Sequence, residues 1–129
     1  MSPTSRLVVM GHPLAAEENR LAFRGWSGFQ VNLVAPARWR SPSLGHAYAP
    51  APGGEAGLHV LPVAGSGSNS LFLWRGLGTL LHRLRPDLLY CWEEPWCLST
   101  LQARHHARRL GIPLVFYTAE NRPKRLPWP

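Results

Sequence analysis

The chain has 129 residues, a mass of 14.4 kDa and 45% hydrophobic residues, which allows one packed domain and leaves no room for two. Its net charge is +7, and thirteen of its fourteen basic residues are arginine. A positive surface favours phosphate groups, nucleotides, nucleic acid or an acidic membrane face as partners, but the scatter of the charges favours a compositional use of arginine in place of lysine. No apolar stretch approaches the roughly twenty residues that cross a bilayer, and the first ten residues do not resemble a secretory signal, so the sequence predicts a cytoplasmic protein.

The first half of the chain predicts strands, a helix and a long loop. Residues 7–10 form an apolar run that ends at a Gly-His-Pro turn, which indicates a buried strand. Apolar residues then recur at three- and four-residue steps over 14–26, which predicts a helix. A second strand is predicted over 31–35, a loop rich in proline and glycine over 36–57, and a third strand over 58–63.

The second half continues the alternation. Asn69 or Ser70 is placed to cap a helix that runs from 71 to 84 and ends before a proline. A fourth strand is predicted over 88–92, a helix over 96–110 that a glycine ends, and a fifth strand over 114–118. This order predicts an α/β fold: a Rossmann-like open parallel sheet of about five strands flanked by helices, in a single domain covering residues 1–129.

Polar residues follow several of the predicted strands directly. Ligands of open parallel sheets bind beyond the carboxyl ends of the strands, where the strand order reverses. We therefore expect a ligand site at this rim. The residues predicted to lie there are Gly11, His12, Arg38, Trp39, Glu93, Glu94, Glu120 and Asn121.

Each candidate also has an ordinary structural interpretation. Carboxylates such as Glu93 and Glu94 can act as a general base or bind pairs of hydroxyl groups, but acidic residues in a first helical turn also complement the helix dipole. His12 can bind a ligand, or it can be a solvated turn residue. Trp39 and Trp96 can flank a ligand or pack in the core.

The remaining reactive side chains do not predict a metal or redox site. Cys91 and Cys97 do not have the spacing of a redox pair, and Cys91 is expected to be a small buried apolar residue. The basic residues of the helix over 96–110 are interpreted as a solvated face, since its two adjacent histidines point in different directions. That face comprises Arg104, His105, His106, Arg108 and Arg109.

Two segments carry a resemblance to a known family. Residues 85–98, with the sequence RPDLLYCWEEPWCL, resemble a segment of family 4 glycosyltransferases in which a strand is followed by Glu-Glu-Pro-Trp. Residues 113–121, PLVFYTAEN, resemble a later strand of that family that ends in an acidic residue and asparagine. The Gly-His-Pro turn and residues 31–36 stand where the family has its first loop and second strand.

The resemblance implies a GT-B enzyme, which has two Rossmann-like domains facing each other across a cleft. The amino-terminal domain of such an enzyme holds the acceptor, and the carboxyl-terminal domain holds the nucleotide-sugar. The donor motif of the family, two glutamates separated by seven residues, is not present in this sequence. The chain is therefore expected to be an incomplete, truncated GT-B amino-terminal domain that is inactive alone.

The resemblance also implies the partners of the complete enzyme. It would transfer a hexose from a nucleotide-sugar donor to a sugar or glycolipid acceptor, with no other cofactor. The implied roles are hydrogen bonds from His12 and the carboxylates to sugar hydroxyls, and contact between Arg38 and an anionic part of the ligand. A missing carboxyl-terminal domain or a partner chain would complete the enzyme, and the basic charge admits peripheral contact with an anionic membrane at its inner face.

Three alternatives remain open. Zinc-dependent sugar deacetylases also have His-Pro after their first strand, but they continue with two aspartates, whereas this chain continues with Leu14 and Ala15. A non-enzymatic basic module that binds nucleic acid is a second alternative, although no motif specific for nucleic acid is present. The third is a gene fragment with no independent role.

Overall fold

The structure, a computed structural model, describes residues 4–40, 47–65, 68 and 70–117. In this part of the chain the helices are α1 (Glu17–Leu21), α2 (Leu77–Leu84) and α3 (Leu98–Leu110), and a turn of 3₁₀ helix spans His12–Ala15. The strands are β1 (Ser5–Met10), β2 (Phe29–Pro36), β3 (Trp39–Arg40), β4 (Ala47–Tyr48), β5 (Leu58–Leu61), β6 (Val63–Ala64), β7 (Leu73–Trp74), β8 (Leu88–Cys91) and β9 (Leu114–Phe116).

Five of these strands form one parallel sheet in the order β5-β2-β1-β8-β9. Strand β1 lies at its centre, with Leu7 opposite Val31 of β2 on one side and opposite Leu88 of β8 on the other. The prediction of an α/β fold with an open parallel sheet of about five strands flanked by helices is confirmed.

Both faces of the central strand are covered. Leu7 and Val9 point into an apolar cluster that includes Phe23, while Val8 and Met10 point into a second cluster formed with α2 and α3. A parallel strand that is buried on both faces reads as a continuous apolar run rather than an alternating one, which is why residues 7–10 were recognisable in the sequence.

The first predicted helix, over 14–26, is wrong in extent. The chain forms only the 3₁₀ turn and α1, because Ala16 between them has an extended backbone (φ −91°, ψ 133°). The buried guanidinium of Arg20 donates hydrogen bonds to the carbonyl oxygens of Leu14 (2.8 Å) and Ala15 (3.0 Å). A side chain therefore satisfies two carbonyl groups that a continuous helix would have bonded internally.

The second predicted helix begins later than expected, at Leu77 instead of residue 71. Gly76 precedes it in a left-handed conformation (φ 80°), so Ser70 does not cap it, and Asn69 lies outside the described residues. Residues before the helix instead form the antiparallel pair β6–β7, and Pro62 separates β6 from β5 within the predicted third strand. Buried Phe72 and Trp74 on either side of exposed Leu73 show the two-residue period of a strand.

Smaller differences affect the loop and the last helix. The predicted loop over 36–57 contains the antiparallel pair β3–β4. Helix α3 begins at Leu98 instead of residue 96 and ends at Leu110, and Gly111 follows it in a left-handed conformation (φ 69°), which confirms the predicted glycine stop. The fifth strand ends at Phe116, and Thr118 lies outside the described residues. No helix in the described ranges combines the length and apolar character needed to cross a membrane.

An ion-pair network fixes α1 to the segment before β5. Arg20 donates from Nε and Nη2 to Oε1 of Glu55 at 2.9 and 2.7 Å, and Arg24 donates to Oε2 of the same carboxylate at 2.7 Å. The hydrogen bond from Arg20 is the main cause that lowers the pKa of Glu55 below its usual value, against an opposing effect of burial. Because Arg20 also holds the carbonyls of the 3₁₀ turn, this network positions the chain that follows β1.

Without the Glu55 carboxylate, the free energy of unfolding is expected to fall less steeply as the pH is lowered into the acid range. A carboxyl group whose pKa is lowered by folding stabilises the folded state above its unfolded pKa of about 4.3, and this contribution is lost as the pH falls through the lower, folded pKa. Glu55→Gln should therefore lower the free energy of unfolding by about 1 kcal/mol at pH 7, and the difference from wild type should shrink below about pH 4.5. Urea unfolding across this pH range measures the free energy of unfolding, and Glu18→Gln, at an exposed residue, is the matched control. A difference between Glu55→Gln and wild type that does not change with pH would contradict this prediction.

Candidate functional site

The strand order reverses at β1, and the ends of β1 and β8 define the candidate site. The chain leaves β1 through Gly11 and His12, and it leaves β8 through Trp92 and Glu93. The main-chain nitrogen of Trp92 donates to the carbonyl oxygen of Met10 at 2.7 Å, which holds the two exits side by side. In open parallel sheets this reversal point forms the crevice in which ligands bind.

Gly11 is required by the close approach of the two exits. A Cβ atom at this position would lie 2.8 Å from the carbonyl oxygen of Trp92 and 2.9 Å from its Cβ, both of which are too short for a real contact. Its backbone is extended (φ 163°), so packing rather than backbone conformation selects glycine here. The absence of a side chain lets the loop that carries His12 lie against the segment that carries Glu93.

His12 and Glu93 form a tightly bonded pair at this crossing. Nδ1 of His12 lies 2.8 and 2.9 Å from the two carboxylate oxygens of Glu93, and the main-chain nitrogen of His12 donates to Oε1 at 2.6 Å. The side chain of Glu93 is 1% exposed, whereas that of His12 is 21% exposed. An ionised carboxylate can only accept hydrogen bonds, so this arrangement keeps a proton on Nδ1 and leaves Nε2 as the ring atom directed away from Glu93.

Aromatic residues support the His12 ring. Trp39 stacks on it with ring centroids 4.7 Å apart and an interplanar angle of 29°, and Phe72 meets it edge-on at 6.0 Å. Trp39 and Phe72 also contact each other, at 4.8 Å. The imidazole is thus fixed by a carboxylate at one edge and by apolar rings against its face and edge.

Two cysteines close the buried side of the site without contributing a reactive thiolate. Burial raises the pKa of Cys97 to about 11 and that of Cys91 to about 12, and in both cases the nearby charge of Glu93 raises it further. A thiol is nucleophilic only as the thiolate, so both residues act at neutral pH as small apolar groups. The prediction that Cys91 is buried is confirmed, since it is 0% exposed.

A pocket of about 190 Å³ opens over the pair. Seven residues from three chain segments line it: His12, Pro13, Trp92, Glu93, Glu94, Cys97 and Tyr117. Its wall combines imidazole and carboxylate groups with the aromatic rings of Trp92 and Tyr117, which meet edge-on at 6.0 Å. Polar groups with aromatic surfaces suit a ligand that has both hydroxyl groups and apolar faces.

The structure brings only some of the predicted site residues together. Gly11, His12, Glu93 and Glu94 meet at the crossing. Trp39 is 3% exposed behind His12, so it supports the ring instead of presenting a face to a ligand.

The other predicted residues are not placed in this pocket. Arg38 is exposed on the segment after β2 and is not among the residues that line the pocket. Trp96 does not line the pocket either and is partly buried. Glu120 and Asn121 lie outside the described residues.

The ordinary interpretations of Glu93, Glu94 and His12 do not hold. Helix α3 has Cys97 as its N-cap and no acidic residue in its first turn, so Glu93 and Glu94 lie ahead of the helix and do not complement its dipole from that turn. The carbonyl of Glu94 instead accepts hydrogen bonds from the Thr100 hydroxyl (2.7 Å) and the Cys97 nitrogen (3.0 Å). His12 is bonded and stacked, so it is not a solvated turn residue.

The sequence-based prediction of the site misses two residues. Phe72 falls in the segment predicted as a helix, whereas in the structure it is buried next to strand β7. Tyr117 falls inside the strand predicted over 114–118, but β9 ends at Phe116, so Tyr117 lies at the rim; its place near the end of a predicted strand is the signal that could identify it. Among the described residues, no group of three or more His, Cys, Asp and Glu side chains is arranged to hold a metal ion.

Comparison of the chain with protein-family models, with curated proteins and with solved structures found no match in any of the three.

Gly11→Ala is expected to destabilise the protein and displace His12. The added methyl group must push the two exits apart, which should lower the free energy of unfolding by about 1–3 kcal/mol. It should also lengthen the contact between His12 and Glu93, visible as a shift of the imidazole ¹⁵N resonances. Gly25→Ala is the control, because nothing lies within 4 Å of a Cβ there. If Gly11→Ala and Gly25→Ala lowered the free energy of unfolding equally, the close approach of the two strand exits would not be the reason for glycine at position 11.

Proposed function

We propose that this chain is the acceptor-binding half of a family 4 glycosyltransferase, which transfers a hexose from a nucleotide-sugar to a sugar or glycolipid acceptor. The observation that carries the proposal is the pairing of His12 with the buried carboxylate of Glu93 at the strand-order reversal of a parallel sheet. The likeness of residues 85–98 and 113–121 to that family supports it, because Glu93 lies within the first segment.

The chemistry of the pair suits an acceptor hydroxyl. With the proton held on Nδ1, Nε2 of His12 offers a lone pair that accepts a hydrogen bond from a hydroxyl group. Hydrogen bonding of this kind raises the electron density on the hydroxyl oxygen, which is the atom that must attack the donor sugar. Glu93 acts through His12, as the group that sets its tautomer and direction.

The pocket wall suits the remainder of a sugar. Glu94 offers carboxylate oxygens that accept hydrogen bonds from hydroxyl groups, and the rings of Trp92 and Tyr117 provide surface against the apolar faces of a pyranose. At about 190 Å³ the pocket is below the usual range for complete ligand sites, about 300–1,000 Å³. This size is consistent with one sugar residue bound at the edge of a larger cleft.

Sugar binding by the isolated chain tests the proposal directly. Monosaccharides and disaccharides titrated into ¹⁵N-labelled protein should shift resonances of His12, Glu94 and Tyr117 before those of other regions. His12→Ala and Glu93→Gln should each weaken the affinity about tenfold, since the first removes the hydrogen bond to the ligand and the second removes the carboxylate that orients His12. His82→Ala and Glu18→Gln are matched controls on exposed helix surfaces.

Two outcomes would contradict the proposal. The pocket is not an acceptor site if no sugar in such a panel shifts the pocket resonances, or if the control variants weaken binding as much as the site variants do.

We also expect the 129-residue protein alone to bind an acceptor without transferring sugar to it. The reason is that the chain has no pair of glutamates with the spacing of the family's donor motif. Assay with radiolabelled nucleotide-sugars and a sugar that binds should give no product above a buffer blank. Turnover by the isolated protein that His12→Ala abolishes would show that the donor site lies within these residues.

A further inference from the structure

A series of aromatic rings leads away from the pocket along one face of the sheet. The ring centroids of Tyr117 and Trp92, which both line the pocket, are 6.0 Å apart, and Trp92 lies 5.8 Å from Phe23. Phe23 lies 5.0 Å from Trp26, and Trp26 lies 6.4 Å from Phe29. These five residues, here called the aromatic row, connect the pocket to the beginning of β2 through ring-to-ring contacts.

The aromatic row lies on the face of the sheet opposite to α2 and α3. Phe23 and Trp92 belong to the apolar cluster that contains Leu7, whereas α2 and α3 pack against the other cluster. Side chains alternate between the two faces along a strand, so Phe29 of β2 lies on the same face as Val31, which packs against the cluster of Leu7. The row therefore runs from the carboxyl rim of the sheet towards its amino edge without crossing to the other face.

Three rings of the aromatic row have open surface. Tyr117 is 46% exposed, Trp26 is 42% exposed and Phe29 is 37% exposed. Trp92 is half-buried, and Phe23, which is buried, supports the rings on either side of it. A single exposed aromatic residue needs no explanation, but half-exposed rings that contact one another and continue from a pocket mark a binding surface.

The chemistry of this face suits a carbohydrate chain. The apolar faces of pyranose rings stack on aromatic rings, and the spacing of neighbouring rings in the row is close to the length of one sugar residue in a linear chain. Tyr90, whose ring lies 5.8 Å from that of Phe23, adds a hydroxyl group to the same face. Burial, together with the nearby Tyr117, raises the pKa of Tyr90, so its hydroxyl keeps a proton that a sugar oxygen can accept.

An apolar chain matches this face less well. It would gain contact area from the rings, but it would cover the hydroxyl groups of Tyr90 and Tyr117 without offering them a hydrogen bond. Sugar hydroxyl groups satisfy such groups while the faces of the sugar ring cover the aromatic surface.

The pocket is closed behind His12 and continues on the side of the aromatic row. Trp39 and Phe72, which are 3% and 0% exposed, fill the space behind the imidazole, and buried Cys97 lies beneath it. The wall formed by Trp92 and Tyr117 instead passes directly into the row. A ligand longer than one sugar residue has this surface to extend over.

We infer that the acceptor is a linear oligosaccharide of three or more sugar residues, with its terminal residue in the pocket and the following residues stacked on Trp26 and Phe29. This inference rests on the proposed function and names the substrate class for the same site. The pocket of about 190 Å³ then holds only the terminal residue, whose hydroxyl group meets Nε2 of His12. The aromatic row selects for chain length.

The dependence of affinity on chain length tests the inference in the full 129-residue chain. Linear oligosaccharides of glucose, mannose and galactose, one to five units long, are titrated into ¹⁵N-labelled protein. In a series that binds, the affinity should rise about tenfold from one unit to four, because the additional units bury further aromatic surface. The indole N–H resonance of Trp26 should shift with chains of three or more units and not with the monosaccharide.

Variants outside the pocket separate the aromatic row from the pocket itself. Trp26→Ala and Phe29→Ala should each weaken the affinity for a tetrasaccharide about fivefold and leave that for the monosaccharide unchanged, whereas Trp26→Phe, which keeps a ring, should retain most of the gain. Phe116→Ala is the matched control, because Phe116 is 44% exposed but lies on the face of Leu114, which packs on the α2–α3 side. It should leave the gain with chain length unchanged.

Failure of this inference is distinguishable from failure of the proposed function. If monosaccharides shift the pocket resonances but the affinity does not rise with chain length, the pocket binds sugar and the aromatic row does not. An equal loss of the gain in Phe29→Ala and Phe116→Ala would overturn the inference in the same way. If no sugar of any length binds, both the inference and the proposed function are wrong.

An alkyl glycoside tests the alternative of an apolar tail. If octyl glucoside binds more tightly than every oligosaccharide, and Trp26→Ala removes this advantage, the aromatic row takes an apolar chain and the inference is overturned. Weaker binding of octyl glucoside than of the tetrasaccharide supports the inference. Unfolding midpoints of the variants equal to that of wild type show that each substitution acts on binding and not on folding.

Discussion

The buried carboxylate of Glu93 is the group on which the arrangement of the candidate site depends. It is almost inaccessible to water, so its charge has to be satisfied by neighbouring donors, and His12 supplies both a ring nitrogen and a main-chain nitrogen. These bonds join the exits of two neighbouring strands that are far apart in sequence. Without the carboxylate, the histidine loop and the segment after β8 would keep only the main-chain hydrogen bond from Trp92 to Met10.

Neighbouring residues further restrict the position of the His12 ring beside Glu93. Gly11 lets the two exits approach, Trp39 and Phe72 occupy the space behind the ring, and Arg20 ties down the carbonyls of the turn that follows. Each of these contacts comes from a different segment. The position of a single imidazole is thus the combined result of the strand order, of the β6–β7 pair and of the network at α1.

The sheet was predictable from the sequence, whereas the short elements around it were not. Strands buried on both faces are continuous apolar runs, so β1 and β8 were visible, and Gly111 marked the end of α3. Residues 14–26 and 71–76 have apolar residues at helix-like steps, but tertiary contacts decide their conformation. Those contacts are the Arg20 bonds to carbonyls in the first segment, and the bonds of Gln102 to both main-chain groups of Trp74 in the second.

The candidate site was predictable in position but not in its internal geometry. The rule that ligands bind where parallel strands end singled out His12 and Glu93 together. That the two would bond to each other depends on register: Met10 lies opposite Cys91, so the residues two positions further along each strand meet. The supporting role of Trp39 could not be read from the sequence, because an aromatic residue beside a rim can face either the ligand or the core.

The double attachment of His12 to one carboxylate has a consequence for the thermodynamics of ligand binding. A surface histidine normally samples several rotamers, and a ligand that selects one of them must offset the lost side-chain entropy. Here the ring is already held in one orientation by Glu93 and Trp39, so that entropic loss has been incurred during folding. A ligand of this pocket would meet a preorganised acceptor atom, and its hydrogen bond to Nε2 would contribute to affinity with little further ordering of the protein.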